Sequence, residues 1–403
     1  MKLRNSKVSL KSNLALLSCL LAVFAASCAG KNVHKDLKED PKILVRKWTM
    51  ATRGDSFSWD AGDRGYEFSN PVLLENALIF GNHSTGLISL YPTLGQVRWS
   101  LQIKRGVVSE LAVDRGAVFF GGGDGFVYSV NTETGRVNWR YDLHSPVISK
   151  PAVSGGRLFV TTADDTVYAL DAGTGKWLWH YKRRSSQSAT ILGASSPLVD
   201  GNEVIVGLSD GFLISLSLNE GTLLWEKKLN SAPKFTDVDA HPVLESGILY
   251  VPSYDGSLYA LKRQKGEILW RFDSGGSKAV TLDEDKIFMP SSDGTVYALK
   301  KDGGKQIWKF ELDGGTPTKL IVTDKYVIMG STHQYLYVLD KATGKGLYRY
   351  NVGYDSGFYG SPAYDKTSQR IYTLSSGGNL YAFQIRKNPP QKRAHGETDP
   401  YKF

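Results

Sequence analysis

The chain has 403 residues, of which 11% are aromatic, and its 49 Lys and Arg exceed its 40 Asp and Glu by nine. These basic residues form no dense stripe interleaved with aromatic side chains, which argues against a nucleic-acid partner. Both cysteines, Cys19 and Cys28, lie in the first 28 residues, so the rest of the chain can hold neither a disulfide nor a cysteine metal site.

The first 28 residues have the layout of a bacterial lipoprotein signal peptide. They contain four basic and no acidic residues, so removing them lowers the formal charge from +9 to +5. The apolar run over residues 14–27 is too short for a stable membrane anchor, and it ends in small residues before Cys28. We predict lipidation at Cys28, and Ala29 after it is typical of lipoproteins sent to the outer membrane. Cys19 and an ordinary secretory peptide cleaved near Ala29 are the alternatives.

A polar tether, residues 29–42, follows the leader, and the body of the chain begins with an apolar strand pattern over residues 43–50. That body is a repeat. A large aromatic residue recurs at intervals of 40, 40, 46, 45, 38 and 40 residues, always four residues after a glycine: Trp99, Trp139, Trp179, Trp225, Trp270, Trp308 and Tyr348. Self-similarity at this period indicates a repeat architecture.

Each repeat reads as four antiparallel strands. In residues 247–272, three runs of β-branched and aromatic residues are separated by Asp-Gly and Lys-Gly turns, and a fourth run precedes them. An Asp-Gly pair between apolar runs indicates a hairpin, for which we expect a type I′ turn. Four such strands make one propeller blade. We expect the tyrosine of the third strand and the tryptophan of the fourth to fill the space between blades, with OH or NH bonded to backbone.

Eight inner strands are predicted, beginning near residues 70, 110, 150, 196, 241, 278, 317 and 361. The last repeat stops after its third strand at Ile385, where Pro389 and Pro390 break the pattern. Residues 43–50 carry Trp48 in the context of the repeat tryptophans, so an N-terminal strand can complete the last blade and leave no open edge. We predict an all-β fold, an eight-bladed β-propeller over residues 43–385. Seven blades are the alternative, in preference to nine. Residues 386–403 are predicted to be a basic disordered tail.

Motifs that suggest chemistry have structural interpretations. Residues 121–125 (GGGDG) join two strands with no helix to hold an anion, so they are interpreted as a hairpin turn. Residues 283–285 are expected to form a solvated turn, and the seven histidines show no metal-ligand spacing. No Ser/His/Asp arrangement stands out. We therefore predict no catalytic, metal or cofactor site.

Two connections are longer than the others, and both join an outer strand to the next inner strand. They cover residues 182–195 and 227–240, which produce the repeat intervals of 46 and 45 residues. Such loops emerge on one face from adjacent blades. Long loops on a rigid scaffold commonly bind partners, so this face is the predicted interaction surface.

Two family resemblances follow from these motifs. Residues 168–179 (YALDAGTGKWLW) resemble the repeats of quinoprotein dehydrogenases, which use pyrroloquinoline quinone with calcium. That resemblance implies a periplasmic quinone-dependent enzyme as the alternative function. The body lacks the adjacent-cysteine disulfide often found in those enzymes, and fold alone does not imply function.

The second resemblance, over about residues 43–385, is to the BamB family of lipid-anchored propellers of the outer-membrane barrel-assembly machinery. Residues 236–242 (TDVDAHP) resemble the family's Asp-Val-Asp-x-x-Pro segment, and residues 356–358 resemble a loop before its last blade. The family's Leu-x-Leu-Arg loop aligns with residues 189–193, where Leu192 replaces the arginine.

The BamB resemblance implies a non-catalytic scaffold that assists β-barrel assembly and insertion. Its implied partners are the periplasmic domains of a BamA-like protein, the outer membrane through its lipid, and unfolded outer-membrane proteins. The implied partner-binding residues are Ala189, Ile191, Leu192, Asp237 and Asp239.

Overall fold

The computed structural model describes residues 37, 43–52, 69–183, 195–229, 237–276, 278–354 and 356–387. This part of the chain consists of strands, turns and loops without a helix, so it contains no helix that could cross a membrane. The strands form eight four-stranded antiparallel sheets, which confirms the predicted eight-bladed propeller. The predicted leader with Cys28, nearly all of the tether, residues 388–403 of the tail, and Ala189, Ile191 and Leu192 lie outside the described residues.

Seven blades are continuous in sequence, and their strands follow from inner to outer. The first four blades comprise β2 (Val72–Leu73), β3 (Leu78–Asn82), β4 (Gly86–Leu90) and β5 (Val97–Gln102); β6 (Ala112–Asp114), β7 (Ala117–Gly121), β8 (Phe126–Asn131) and β9 (Val137–Asp142); β10 (Ala152–Ser154), β11 (Arg157–Thr161), β12 (Thr166–Asp171) and β13 (Trp177–Lys182); β14 (Leu198–Asp200), β15 (Glu203–Gly207), β16 (Phe212–Ser217) and β17 (Leu223–Lys228). The next three comprise β18 (Val243–Glu245), β19 (Ile248–Ser253), β20 (Ser257–Lys262) and β21 (Ile268–Phe272); β22 (Thr281–Asp283), β23 (Lys286–Pro290), β24 (Thr295–Lys300) and β25 (Gln306–Glu311); β26 (Ile321–Val322), β27 (Tyr326–Gly330), β28 (Tyr335–Asp340) and β29 (Gly346–Asn351).

The eighth blade combines the two ends of the body. Its inner three strands are β30 (Ala363–Asp365), β31 (Arg370–Leu374) and β32 (Asn379–Ile385), and its outer strand is the N-terminal β1 (Leu44–Ala51). In β1 the pairing register shifts between Arg46 and Trp48, as it shifts before Trp179 in β13. The closing strand thus has the same bulge as the internal outer strands, which confirms the predicted closure.

The hydrophobic core is divided into eight clusters, and each lies between two neighbouring blades. The cluster that closes the ring packs Leu78 and Phe80 of the first blade against Leu380 and Ala382 of the last. All four side chains are fully buried. Because every blade buries both faces against neighbours, opening one junction would expose apolar surface on two blades.

The tryptophan–glycine spacing has a packing cause. Each outer-strand tryptophan lies on the glycine of the next blade's turn, as Trp139 does on Gly175, a glycine with φ of +71°. The Trp139 Nε1 donates to the Ala172 carbonyl at 2.9 Å, and the equivalent Trp48 donates to the Pro92 carbonyl at 3.1 Å. The predicted packing of these residues between blades is therefore confirmed, but the Trp225 Nε1 donates to the Glu203 carboxylate rather than to backbone.

Several local predictions need correction. In the Asp-Gly turns only the glycine has positive φ, for example Gly125 at +89°, so these turns are not type I′. Three residues, 123–125, separate the hydrogen-bonded Gly122 and Phe126, and such loops place a left-handed residue last. Three third-strand tyrosines, Tyr128, Tyr259 and Tyr297, bond the turn aspartate rather than backbone; the Tyr128 Oη donates to Asp124 Oδ2 at 2.6 Å.

Other local predictions hold, with two shifts of position. Residues 121–125 lie in the hairpin between β7 and β8 as predicted, and of residues 283–285, Glu284 and Asp285 form the turn while Asp283 ends β22. The sixth and seventh inner strands, β22 and β26, begin at Thr281 and Ile321 rather than near residues 278 and 317. Pro317 forms only an isolated bridge with Ser331.

Candidate functional site

One face of the ring carries the ends of all outer strands, the starts of all inner strands and the Asp-Gly turns. We call it the loop face. Both long connections begin and end on it, at Arg183 and Ser195 in one case and at Leu229 and Asp237 in the other. The Ser195 Oγ donates to the Ala240 carbonyl at 3.0 Å, so the two connections end side by side.

The first long connection is fixed at its start by Arg183. Its guanidinium bonds Asp210 at 2.9 Å, pairs with Glu226 and lies 3.7 Å above the Phe212 ring centroid. The three partners belong to the next blade. Arg183 is also largely buried, so this is a stronger anchor than an exposed ion pair.

The second long connection ends in a segment that is wedged between blades. Val238 is fully buried, and its NH donates to the Leu208 carbonyl of the preceding blade at 3.1 Å. The Asp237 carbonyl accepts from the Tyr254 NH at 2.9 Å. The equivalent Val107, Val147 and Phe358 are buried too, so the valine of the Asp-Val-Asp segment is a repeated packing element.

The two aspartates of this segment have different environments. Asp237 is 2% exposed, so reversing its charge would place a cation inside the packed segment. Charge reversal at Asp237 is therefore expected to destabilise the fold. Asp239 is half-buried, and burial raises its pKa to about 6, with Asp237 adding to the rise and Lys278 opposing it. Its Oδ1 has no hydrogen-bond partner among the described residues.

A ring of eight side chains surrounds the channel mouth at the centre of the loop face. Each lies two residues before the first residue of an inner strand, and we call them the mouth ring: Asn70, Glu110, Lys150, Ser196, His241, Ala279, Lys319 and Ser361. Inner strands of neighbouring blades lie against one another, which brings these positions together.

Five polar members of the mouth ring bond to a neighbouring or nearby blade. The Asn70 Oδ1 accepts from the Leu111 NH at 2.6 Å, and the Ser196 Oγ accepts from the Lys150 NH at 2.9 Å. The Ser361 hydroxyl donates to the Glu110 carboxylate. The His241 Nδ1 donates to the Ser196 carbonyl at 3.0 Å, and burial lowers the pKa of His241 to about 4.

The sequence prediction did not find the mouth ring. Its members differ in chemistry, so no motif joins them, and only their common place before an inner strand relates them. Phe358, from the third loop that carried the family resemblance, packs against Tyr381 with ring centroids 6.4 Å apart and is fully buried. Within the described residues, no three His, Cys, Asp or Glu side chains lie close enough to hold a metal ion.

Comparison with known proteins identifies related chains. A family profile described as "Outer membrane protein assembly factor BamB" matches residues 84–309 and 254–388, together 305 of 403 residues. The outer membrane protein assembly factor BamB of Yersinia pestis is 26% identical over 162 residues. The matched segment is 37% of this chain and 38% of that relative, so it spans well under half of the relative's length.

Solved structures show the same fold. BamB from Moraxella catarrhalis matches with a TM-score of 0.72 and 19% identity, covering 85% of this chain and all of the other. The quinohemoprotein alcohol dehydrogenase from Comamonas testosteroni matches with a TM-score of 0.66 and 14% identity, covering 89% and 79%. At these identities both likenesses concern the fold alone.

Proposed function

The chain belongs to the BamB family of outer membrane protein assembly factors, and we propose that it is a non-catalytic scaffold that supports the assembly and insertion of β-barrel proteins at the outer membrane. The observation that carries the proposal is the family match over 305 residues, which covers most of the ring. A rigid ring with long loops anchored on one face suits a binding scaffold.

Attachment to the periplasmic face of the outer membrane through lipid on Cys28 is part of the proposal. The leader layout supports it, and replacing Cys28 with Ala tests it. We expect the variant to lose fatty-acid labelling and to be recovered as soluble periplasmic protein. Continued labelling would point to Cys19 or contradict the leader assignment.

The proposed partner is a periplasmic domain of a BamA-like protein, which docks on the loop face. Ile191 and Leu192 would supply apolar contacts and Asp239 a polar contact, with Ala189 beside them. Asp237 contributes by holding the segment in place, because it is almost fully buried. Unfolded outer-membrane proteins are further candidate partners.

The test is a titration of isolated partner domains against the variant Ile191→Ala/Leu192→Ala. A truncated hot spot typically costs about 2 kcal/mol or more, so affinity should fall by well over tenfold. Leu94→Ala is the matched control, because Leu94 is 62% exposed on a turn of the opposite face. Equal affinity of the loop variant and the wild type would exclude this face.

A quinone-dependent dehydrogenase is the competing function, and the shared fold is its support. The described residues include no cluster of metal-binding side chains for the calcium that accompanies the quinone, so we derive no step through it. The purified protein is expected to bind no pyrroloquinoline quinone in the presence of calcium and to oxidise no alcohol. Stoichiometric binding with turnover would replace the scaffold proposal.

A further inference from the structure

Two members of the mouth ring differ from the other polar ones. Lys150 and Lys319 have exposed side chains, and among the described residues neither ammonium group takes part in an ion pair or side-chain hydrogen bond. The other polar members all bond within the ring or to adjacent backbone. The two cations of the ring are therefore its charged members without a bonded partner among the described residues.

The two cations face each other. Lys150 belongs to the third blade and Lys319 to the seventh, which are opposite in a ring of eight. Although the Lys150 side chain is exposed, the protein atoms around it desolvate its ammonium group and lower its pKa; Glu110 opposes that change and Lys319 adds to it, so the two lysines lie within electrostatic reach across the ring.

The ring offers little negative charge to balance them. Glu110 is its only carboxylate, and it already accepts a hydrogen bond from Ser361. His241 is neutral at pH 7 because burial lowers its pKa to about 4. The mouth ring thus carries a net charge of about +1 from Lys150, Lys319 and Glu110, which favours an anion over a cation at this place.

We propose that the channel mouth is a binding site for a small phosphate-class dianion held between Lys150 and Lys319. Lysine ammonium groups bind phosphate as point charges, and two of them on opposite sides suit a tetrahedral dianion. A position encircled by eight inner strands suits a small solute better than an extended partner surface. Lys150 and Lys319 lie outside the two long connections, and the proposal does not depend on the scaffold function.

The test is calorimetric titration of inorganic phosphate into the full chain in mild detergent at low ionic strength. We expect saturable binding of one phosphate per chain. Lys150→Ala/Lys319→Ala should weaken it by roughly tenfold or more, and Lys150→Arg/Lys319→Arg should retain binding because it keeps both charges. Thermal unfolding curves verify that each variant is folded.

The matched control is Lys176→Ala/Lys325→Ala, which removes one exposed lysine from each of the same two blades outside the channel. If this control weakens phosphate binding as much as the mouth variant, only general attraction to a basic protein is present, and the proposal is wrong. Absence of binding to the wild type also overturns it. Competition by glycerol 3-phosphate would identify a phosphomonoester site, and failure to compete would identify a site for inorganic phosphate.

Discussion

The glycine beneath each tryptophan is fixed by two independent constraints. Gly175 has φ of +71°, and a Cβ there would lie 2.6 Å from the Trp139 ring. Gly247 has a similar φ of +77°, but nothing lies within 4 Å of the corresponding position. Comparison of the two positions therefore distinguishes the effect of backbone strain from the effect of steric contact between blades.

Alanine at these glycines should therefore destabilise the protein unequally. Gly247→Ala introduces only left-handed strain, about 1–2 kcal/mol. Gly175→Ala adds overpacking of about 1–3 kcal/mol, so its free energy of unfolding should be lower by that further amount. Urea unfolding followed by circular dichroism measures both values, and equal losses would contradict the proposed packing.

Asp239 gives the loop face a pH-dependent stability. Its folded pKa of about 6 lies above the ordinary value of 3.8, so the folded state binds the proton more tightly than the unfolded state. The contribution of protonated Asp239 to the free energy of unfolding is fully present below pH 4 and is lost as pH rises through 6. Asp237 and Lys278 are the charged groups that act on it.

The substitution Asp239→Asn should accordingly stabilise the protein only at higher pH. We expect a gain of about 1–3 kcal/mol at pH 7.5, which disappears near pH 4. Urea unfolding at a series of pH values measures it. Asp302→Asn, at an exposed turn, is the control and should give no such trend. A gain that persists at pH 4 would show that charge is not its cause.

At the scale of single elements, a residue of the tether occupies a notch in the seventh blade. The residue two positions before the outer-strand aromatic has a side chain in the other blades: Arg46, Val97, Val137, Trp177, Leu223, Ile268 and Gln306. In β29 it is Gly346, and a Cβ there would lie 2.7 Å from the Leu37 Cδ1. Leu37 also packs against the cluster of Phe310 between the sixth and seventh blades.

A side chain at position 346 should displace Leu37 and so undock this part of the tether. Gly346→Val and Leu37→Ala each remove this contact. A loss of about 1–2 kcal/mol in the free energy that keeps Leu37 against the blade should raise the fraction of molecules with Leu37 undocked about 5–30-fold. Trypsin cleavage at Lys35 or Lys38 should accelerate by a similar factor when opening precedes cleavage. Val137→Ala, at the equivalent place in the second blade, is the control. Unchanged cleavage rates in both tether variants would contradict a docked Leu37.

The element scale also shows what the sequence could predict. The positions of strands and turns and the closing strand were predictable because each repeat carries the same local signals, and Trp48 repeats the context of Trp179. The burial of Asp237 was not, because it depends on the neighbouring blade that holds Val238. The mouth ring was not predictable for a related reason, since it joins residues about 40 positions apart with unlike side chains.

At the scale of the whole molecule, stability depends on one non-local junction. β1 joins the two ends of the body, and its Trp48 contacts Gly95 and the Pro92 carbonyl of the first blade as Trp99 contacts Gly135 and the Thr132 carbonyl. A ring has no free end at which unfolding can begin. Losing β1 would expose the edge of β32 and the apolar cluster between the last and first blades.

Deleting residues 43–51 should therefore replace one cooperative unfolding transition by a broader one at lower temperature, and a synthetic peptide of residues 43–52 should restore it. Trp48→Ala should cost about 2–4 kcal/mol, below the upper values for tryptophan because Trp48 is only partly buried. Trp99→Ala is the internal control, because it removes the same contact where the chain is continuous. Circular dichroism and calorimetry measure all three proteins. If β1 closes the ring as an internal strand would, the two alanine variants should lose similar amounts of unfolding free energy. A loss for Trp99→Ala alone would mean that the junction contributes nothing to the stability of the ring.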